Sequence, residues 1–121
     1  LLSNHRLIRS MDALLKKSVF SKALFLSSSV ASNPKSFWGA YAISKAGLNH
    51  MVKIWADENK NNNLSIAIVN PRRTRTKMRA QAMPGEDQQN LQSPEKIAEK
   101  IINLIFLNKV NKNEGVDIHE I

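Results

Sequence analysis

A tyrosine and a lysine four positions apart, in the segment Tyr41-Ala42-Ile43-Ser44-Lys45, are the side chains in this sequence best suited to proton transfer. Residues i and i+4 of a helix lie on one face, so the ammonium of Lys45 can lie beside the phenol of Tyr41. A close cation favours the ionised form of a phenol, which makes it usable as an acid or base near neutral pH. The alternative is a helix-surface pair that contributes only slightly to stability.

A run of serines, Ser27-Ser28-Ser29, precedes the tyrosine. A serine hydroxyl can donate a hydrogen bond to the oxygen of a reacting carbonyl or alcohol. The apolar run Ala23-Leu24-Phe25-Leu26 leads into these serines and has the composition of a buried strand. The order of strand, serines and Tyr-Lys helix therefore favours catalysis over a surface pair.

The elements that would position these residues alternate between helix and strand. Apolar periodicity predicts helices at about 6–17, 39–59 and from Pro94 onward. Ser93 is a good N-cap for the last of these helices, and proline suits the first helical position. Apolar residues lie on two sides of the 39–59 helix, so we expect it to be covered on more than one side. Strands are predicted at about 22–27, 64–69 and 115–118. This alternation is typical of an α/β fold with a parallel sheet.

Two segments between these elements are predicted to be loops. Residues 28–38 contain Asn33-Pro34, a turn signal. Residues 71–92 form a longer, polar and basic segment, and a loop of that length in a compact domain is usually a mobile lid or a binding loop.

Three blocks of this sequence, in the same order, resemble the short-chain dehydrogenase/reductase family. They are Ser28-Ser29-Val30-Ala31, Tyr41-Ala42-Ile43-Ser44-Lys45-Ala46-Gly47 and Asn70-Pro71-Arg72-Arg73-Thr74-Arg75-Thr76-Lys77-Met78. The family pattern is strand, Ser-Ser, loop, Tyr-x-x-x-Lys helix, strand, Asn-Pro-Gly-x-x-x-Thr. The resemblance implies a partial Rossmann-like, doubly wound parallel sheet of about three strands with flanking helices, corresponding to the C-terminal half of the family's domain.

The resemblance also implies roles for individual residues. Tyr41 would exchange a proton with the substrate oxygen, and Lys45 would favour the phenolate and hydrogen-bond the nicotinamide ribose. Ser29 is the predicted residue for polarising the substrate carbonyl, with Ser28 as the alternative if the loop register is shifted. The expected reaction is reversible hydride transfer between NAD or NADP and a small-molecule carbonyl or secondary alcohol.

Three further residues match family positions that contact the nicotinamide end of NAD or NADP, namely Pro71, Thr74 and Thr76. The position after Asn-Pro departs from the pattern, because Arg72 stands where the family has glycine. A long cation there would either obstruct the pocket or swing toward solvent or phosphate.

The glycine-rich turn of a dinucleotide site is not found in this sequence. Such a turn lets the backbone approach the pyrophosphate, but no two of the four glycines are close enough to form one; they are Gly39, Gly47, Gly85 and Gly115. We therefore expect a truncated enzyme that lacks its N-terminal nucleotide-binding half. Half of a parallel sheet leaves an unpaired edge, so the chain is expected to be marginally stable, to form a homo-oligomer or to require the missing half. A catalytically silent remnant or an interaction module is the alternative.

Composition limits the other classes of function. The formal net charge is +8, and five cations lie in the segment that begins at Arg72 and ends at Arg79. Such a run would suit a nucleic-acid backbone. A solvated loop is the more common explanation of such a run, and nucleic-acid binding is the least favoured alternative. The absence of cysteine excludes disulfides and thiolate metal sites, and the three histidines have no metal-ligand spacing, so no metal is predicted. No apolar run is long enough to span a bilayer, and the cytoplasm is the expected location.

Overall fold

The computed structural model describes residues 1–106 and 117–121. The helices are α1 (Leu2–Lys17), α2 (Gly39–Glu58), α3 (Lys77–Ala82) and α4 (Pro94–Phe106), and the strands are β1 (Ser21–Leu26), β2 (Leu64–Asn70) and β3 (Asp117–Glu120). The strands form one sheet in the order β1-β2-β3, and both neighbouring pairs are parallel. The predicted α/β fold with a parallel sheet and flanking helices is confirmed.

The strand register brings the carboxyl ends of the three strands to one edge of the sheet. Leu26 pairs with Val69, and Asn70 pairs with Glu120. The loops that follow β1 and β2 therefore leave the sheet side by side. In open α/β sheets, ligands bind outside this edge.

One face of the sheet packs against α1 and α2. Its core contains Phe25, Ile66 and Ile68 from the sheet, and Phe25 meets the ring of Trp55 edge-on at 6.0 Å between centroids. Leu48, Val52 and Trp55 supply the buried side of α2, and Ile8 and Leu15 of α1 pack against the same cluster. The core therefore holds α2 firmly against the strands.

The other face of the sheet is also covered. Ala67 and Val69, which alternate with Ile66 and Ile68 along β2, are completely buried. Helix α4 buries Ile97 and Leu104, and the ammonium of Lys22 on β1 donates a hydrogen bond to the carbonyl oxygen of Ile105. Burial of β2 on both faces is the expected arrangement for a parallel sheet.

Four predictions about elements need correction. Helix α1 begins at Leu2, earlier than the predicted residue 6. Residues 71–92 are not one continuous loop, because α3 and a short 3-10 helix at Gln88–Asn90 form within them; Thr76 caps α3 by accepting a hydrogen bond from the Arg79 N–H. The last strand runs from Asp117 to Glu120, whereas predicted positions 115 and 116 lie outside the described residues. Within those residues α2 is covered on one side, and Ile43 and Ile54 remain exposed.

Among the helices that the structure describes, none combines the length and the apolar character needed to cross a membrane.

Candidate active site at the carboxyl edge of the sheet

Tyr41 lies on the first turn of α2, beside the loop that leaves β1. Its ring meets Trp38 edge-on, with the centroids 5.7 Å apart, and Lys45 Nζ lies 5.8 Å from the centre of the tyrosine ring. The predicted i, i+4 neighbourhood is therefore present in the structure. The phenol ring therefore has both an aromatic side chain and an ammonium group close to it.

Lys45 is oriented by the backbone of β1. Its ammonium donates a 2.8 Å hydrogen bond to the carbonyl oxygen of Leu26, the last residue of that strand. Partial burial lowers the pKa of Lys45 from its ordinary value, because the charged form loses hydration. One donor of the ammonium is used by Leu26, so the others can serve a ligand.

The three serines after β1 differ in burial and in their contacts. The buried Ser27 hydroxyl donates a 2.5 Å hydrogen bond to Asn49 Oδ1, which ties this loop to α2. Ser28 is half-buried and lines the same cleft as Tyr41. Ser29 is exposed, begins a short 3-10 helix and lines a neighbouring cleft that Tyr41 does not line. The structure thus brings Ser28 to the tyrosine and leaves the predicted Ser29 outside that cleft.

The cleft beside Tyr41 has a volume of about 720 Å³. The loop after β2 forms its other wall, and three residues predicted to contact nicotinamide belong to that wall, namely Pro71, Thr74 and Thr76. Phe37, Trp38 and Met78 give it an apolar rim. It therefore combines hydroxyl groups with apolar surface, as small-molecule sites usually do.

Arg72 occupies a left-handed backbone conformation with a φ of 41°. Glycine adopts this region without a steric penalty. The backbone geometry therefore gives a physical reason for the glycine that the resembled family pattern has at this position. The side chain extends toward β3, where its Nη2 lies 3.1 Å from Glu120 Oε2. Asn70 supports the turn, because its Oδ1 accepts a 3.3 Å hydrogen bond from the Arg72 N–H. Arg72 still lines the cleft beside Tyr41, but an acidic partner holds its guanidinium.

A second cleft, of about 630 Å³, adjoins the first. Residues common to both linings form the boundary between them; they are Ser28, Trp38, Asn70, Arg72 and Arg79. Arg79 donates to both carboxylate oxygens of Glu86, with Nε to Oε2 at 2.6 Å and Nη2 to Oε1 at 2.8 Å. These hydrogen bonds lower the pKa of Glu86 and raise that of Arg79.

The fit to a nicotinamide cofactor can be judged for one end of such a molecule. The cleft beside Tyr41 is large enough for a nicotinamide ring and offers Lys45 nearby and threonine hydroxyls in its wall. One of those hydroxyls, Thr74 Oγ1, donates to the Pro71 carbonyl oxygen at 2.8 Å and keeps the turn closed. The pyrophosphate end lacks a matching glycine-rich cradle in this sequence.

A protein-family model described as short chain dehydrogenase matches residues 3–87. The chain belongs to the short-chain dehydrogenase family. This match lies in the amino-terminal part of the chain, so it supports the family without supporting the narrower prediction of the C-terminal half only.

Relatives of this chain agree with the family. "Uncharacterized oxidoreductase YciK" of Escherichia coli strain K12 is 42% identical over 88 residues, which is 73% of this chain and 34% of that protein. A short chain dehydrogenase structure from Salmonella enterica serovar Typhi superposes with a TM-score of 0.90 at 34% identity, covering 99% of this chain and 49% of the other. A putative short chain dehydrogenase from Shigella flexneri, complexed with NADP, gives a TM-score of 0.89 at 33% identity, covering 99% and 49%. The chain spans about half the length of these structural relatives.

Sequence reasoning missed several residues of the site. Arg79 and Glu86 were not singled out as a pair, and Asn49 was not connected to the serine loop. No local pattern links residues seven or more positions apart in a segment interpreted as a loop. The exposed Phe37, with a φ of 68°, was also missed, because its unusual backbone appears only in the fold.

Proposed function

We propose that this dehydrogenase supplies the catalytic side of an NAD(P)-dependent oxidoreductase that interconverts a carbonyl and a secondary alcohol. One observation carries the proposal, namely that Ser28 and Tyr41 line one cleft at the carboxyl edge of the sheet with Lys45 beside the phenol. A hydroxyl donor, a phenol and an ammonium in one place are the groups needed to hold a reacting oxygen and to move a proton to it.

Tyr41 is the proposed acid and base. Its hydroxyl donates a proton to the substrate oxygen during reduction and takes it back during oxidation. The Lys45 charge beside the ring favours the phenolate that remains after donation. The hydrogen bond from Lys45 to the Leu26 carbonyl keeps the charge in place. Trp38, packed edge-on against Tyr41, limits rotation of the ring.

Ser28 is the proposed donor to the substrate oxygen. It lines the cleft with Tyr41, whereas Ser29 does not, so the alternative register of the serine loop is preferred here. The Ser27–Asn49 hydrogen bond fixes the start of this loop against α2. A positioned hydroxyl of this kind stabilises negative charge on the oxygen without reorganising during the reaction.

Pro71, Thr74, Thr76 and Lys45 are proposed to hold the nicotinamide end of NAD or NADP. When bound, the cofactor supplies or accepts the hydride. The NADP complex of the Shigella flexneri structure supports a nicotinamide cofactor for this chain. A nucleotide-binding portion outside this chain is proposed to hold the pyrophosphate, since the chain matches about half of its structural relatives and contains no glycine-rich turn.

The chain is proposed to represent the later, catalytic part of the family's domain and to associate with the nucleotide-binding portion or with a second copy. Exposed apolar residues on α1 support association, because Leu7, Met11 and Leu14 form a stripe that adjoins the packed side carrying Ile8 and Leu15. Sedimentation of the purified chain tests this directly. A monodisperse monomer with a sharp cooperative melt would contradict it.

Titration of the purified chain with NADH and NADPH tests the proposed function. Binding at low-micromolar concentration and, with a nucleotide-binding portion supplied, carbonyl reduction that Y41F abolishes while leaving cofactor binding intact are the expected results. S44A is a matched control on α2, because the Ser44 hydroxyl is used locally in a 2.8 Å bond to the Tyr41 carbonyl oxygen. Dimer formation without cofactor binding would instead favour a catalytically silent interaction module.

A further inference from the structure

Arg79 is a firmly held cation at the boundary between the two clefts. Its side chain is 21% exposed and that of Glu86 is 15% exposed. Two parallel hydrogen bonds to Glu86 fix the plane of the guanidinium, which a lysine at this position could not reproduce. A guanidinium has five N–H donors, so the two hydrogen bonds to Glu86 leave three that this pair does not use.

A purely structural role does not account for where this guanidinium lies. Arg79 belongs to the lining of both clefts. The hydrogen bonds that Arg79 donates to Glu86 are the main cause that raises the pKa of Arg79. Arg79 and Tyr41, the proposed acid and base, line the same cleft. A ligand that places its carbonyl at Tyr41 can therefore reach Arg79 with a second group in that cleft.

The charges around the second cleft favour an anion there. The acidic groups in its lining are already engaged, because Glu86 accepts from Arg79, Glu120 pairs with Arg72, and Asp87 accepts from the Gln89 N–H at 2.9 Å and from Asn90. Four cations face three acids in this lining, which leaves a net excess of one positive charge; the cations are Lys35, Arg72, Arg73 and Arg79. A cleft with an excess of one sign of charge concentrates ligands of the opposite sign.

We propose that Arg79 is a specificity-determining residue that binds an anionic group, a carboxylate or a phosphate, on the carbonyl substrate. Glu86 is the positioning residue that holds the guanidinium in place. The inference rests on the proposed function, because it places the anion beside the carbonyl that Ser28 and Tyr41 hold. The planar fork of arginine matches both carboxylate and phosphate oxygens, so both sources of the anion belong to the test.

Binding of matched ligand pairs to the full chain tests the proposal without cofactor or turnover. Phenylglyoxylate and its neutral methyl ester form the carboxylate pair, and dihydroxyacetone phosphate and dihydroxyacetone form the phosphate pair. Isothermal calorimetry is expected to show at least about tenfold tighter binding of the anionic member of one pair, as a charge-assisted hydrogen bond provides. The pair that shows it identifies the anion.

Variants separate this site from general charge effects. R79Q is expected to bring the two members of that pair within about twofold of each other, while R9Q, at an exposed position of α1, keeps the preference. R79K keeps the charge but loses the fork, and is expected to keep part of the preference. Circular dichroism confirms folding, and R79K carries the comparison if R79Q unfolds.

Several outcomes would overturn the proposal. Equal affinity of both members in both pairs, a preference that R79Q leaves intact, or a folded chain that binds none of the four ligands would each do so. A chain that binds NADPH and reduces neutral and anionic carbonyls equally would overturn this inference while supporting the proposed function. Anion binding that depends on Arg79, without any cofactor binding, would support this inference while overturning the proposed function.

Discussion

The ammonium of Lys45 lies over the Tyr41 ring, 5.8 Å from its centre, and is anchored there by a 2.8 Å hydrogen bond to the end of β1. The pair is therefore part of the junction between strand and helix rather than a freely moving surface pair. A charge held at this place serves the phenol but loses hydration, and burial lowers the pKa of Lys45 as a result.

Replacing Lys45 by methionine is expected to separate stability from function. Burial in the folded state disfavours the charged form of Lys45, which lowers the free energy of unfolding at neutral pH. This loss of stability is relieved as pH rises toward 10.5, the ordinary pKa of lysine. K45M should therefore melt at or slightly above the wild-type temperature near pH 7, with the difference shrinking at high pH. Its turnover with NADPH, measured with a nucleotide-binding portion supplied, should fall by about a hundredfold or more.

The control for this experiment is K53M, an exposed position on the same helix. It should change neither melting nor turnover appreciably. A K45M protein that melts well below both wild type and K53M would show that Lys45 is a structural residue.

Alanine variants of the serines test which hydroxyl reaches the reacting oxygen. S28A is expected to lower carbonyl reduction by about a hundredfold or more, because a transition-state hydrogen bond is lost. S29A should leave the rate close to wild type, since Ser29 is exposed and does not line the cleft with Tyr41. The rates are measured with a nucleotide-binding portion supplied. A reversed order would restore Ser29 as the catalytic serine.

Changing Arg72 to glycine is expected to stabilise the fold. A side chain at a φ of 41° costs about 1–2 kcal/mol, whereas an ion pair as exposed as Arg72–Glu120 contributes less than about 1 kcal/mol. Glycine also makes the unfolded chain more flexible, which offsets part of this gain. Urea unfolding should therefore show a net increase of about 0.5 kcal/mol in the free energy of unfolding.

R73G is the matched control for that substitution. Among the described non-glycine residues only Phe37 and Arg72 have a positive φ, so glycine at 73 relieves no strain. R73G should lower stability by about 0.5–1 kcal/mol. If R72G proved less stable than R73G, the left-handed turn would not be the constraint at position 72.

Asp12 should make the contact between α1 and α2 sensitive to acid. Its carboxylate accepts a 2.8 Å hydrogen bond from the Trp55 indole and pairs with Lys16 at 2.7 Å, and these contacts, that of Lys16 first, lower the pKa of Asp12. Because the pKa of Asp12 is lower in the folded than in the unfolded chain, its contribution to stability is fully present at pH values above 3.8, the ordinary pKa. The contribution is lost as pH falls through the pKa of the folded state.

D12A is therefore expected to lower the free energy of unfolding by about 1–2 kcal/mol at pH 7, with the difference shrinking below pH 3.8. D57A removes an exposed carboxylate with a 3.4 Å contact to Lys60 and should have little effect. Thermal melts across the pH range make the comparison. A deficit of D12A that persists unchanged in strong acid would rule out the charged form as its source.

The elements nearest the site were predictable because their signals are local. The predicted strands at 22–27 and 64–69 differ by one residue at some ends from β1 and β2, and the predicted helix 39–59 ends one residue beyond α2. A continuous apolar run or a 3.6-residue period is a property of neighbouring residues, so it can be read without knowing the fold. The Tyr41–Lys45 neighbourhood follows from helix geometry in the same way.

The walls of the clefts were not predictable in detail. The predicted loop at 71–92 contains α3 and carries Arg79, and its pairing with Glu86 depends on how that segment folds back. The direction of the Arg72 side chain depends on Glu120, which another strand brings beside Asn70. These contacts join residues separated in the chain, so no local period encodes them.

The amino-acid sequence by itself determined the α/β alternation, the Tyr-Lys face of α2 and the resemblance to the family, because each is written in short-range spacing. Only the tertiary structure decided that Ser28 rather than Ser29 lines the cleft with Tyr41, and that Arg79 lies at the boundary of two clefts. The physical reason is that a side chain's neighbours across a sheet edge are set by strand register and loop closure, and these emerge when the whole core packs.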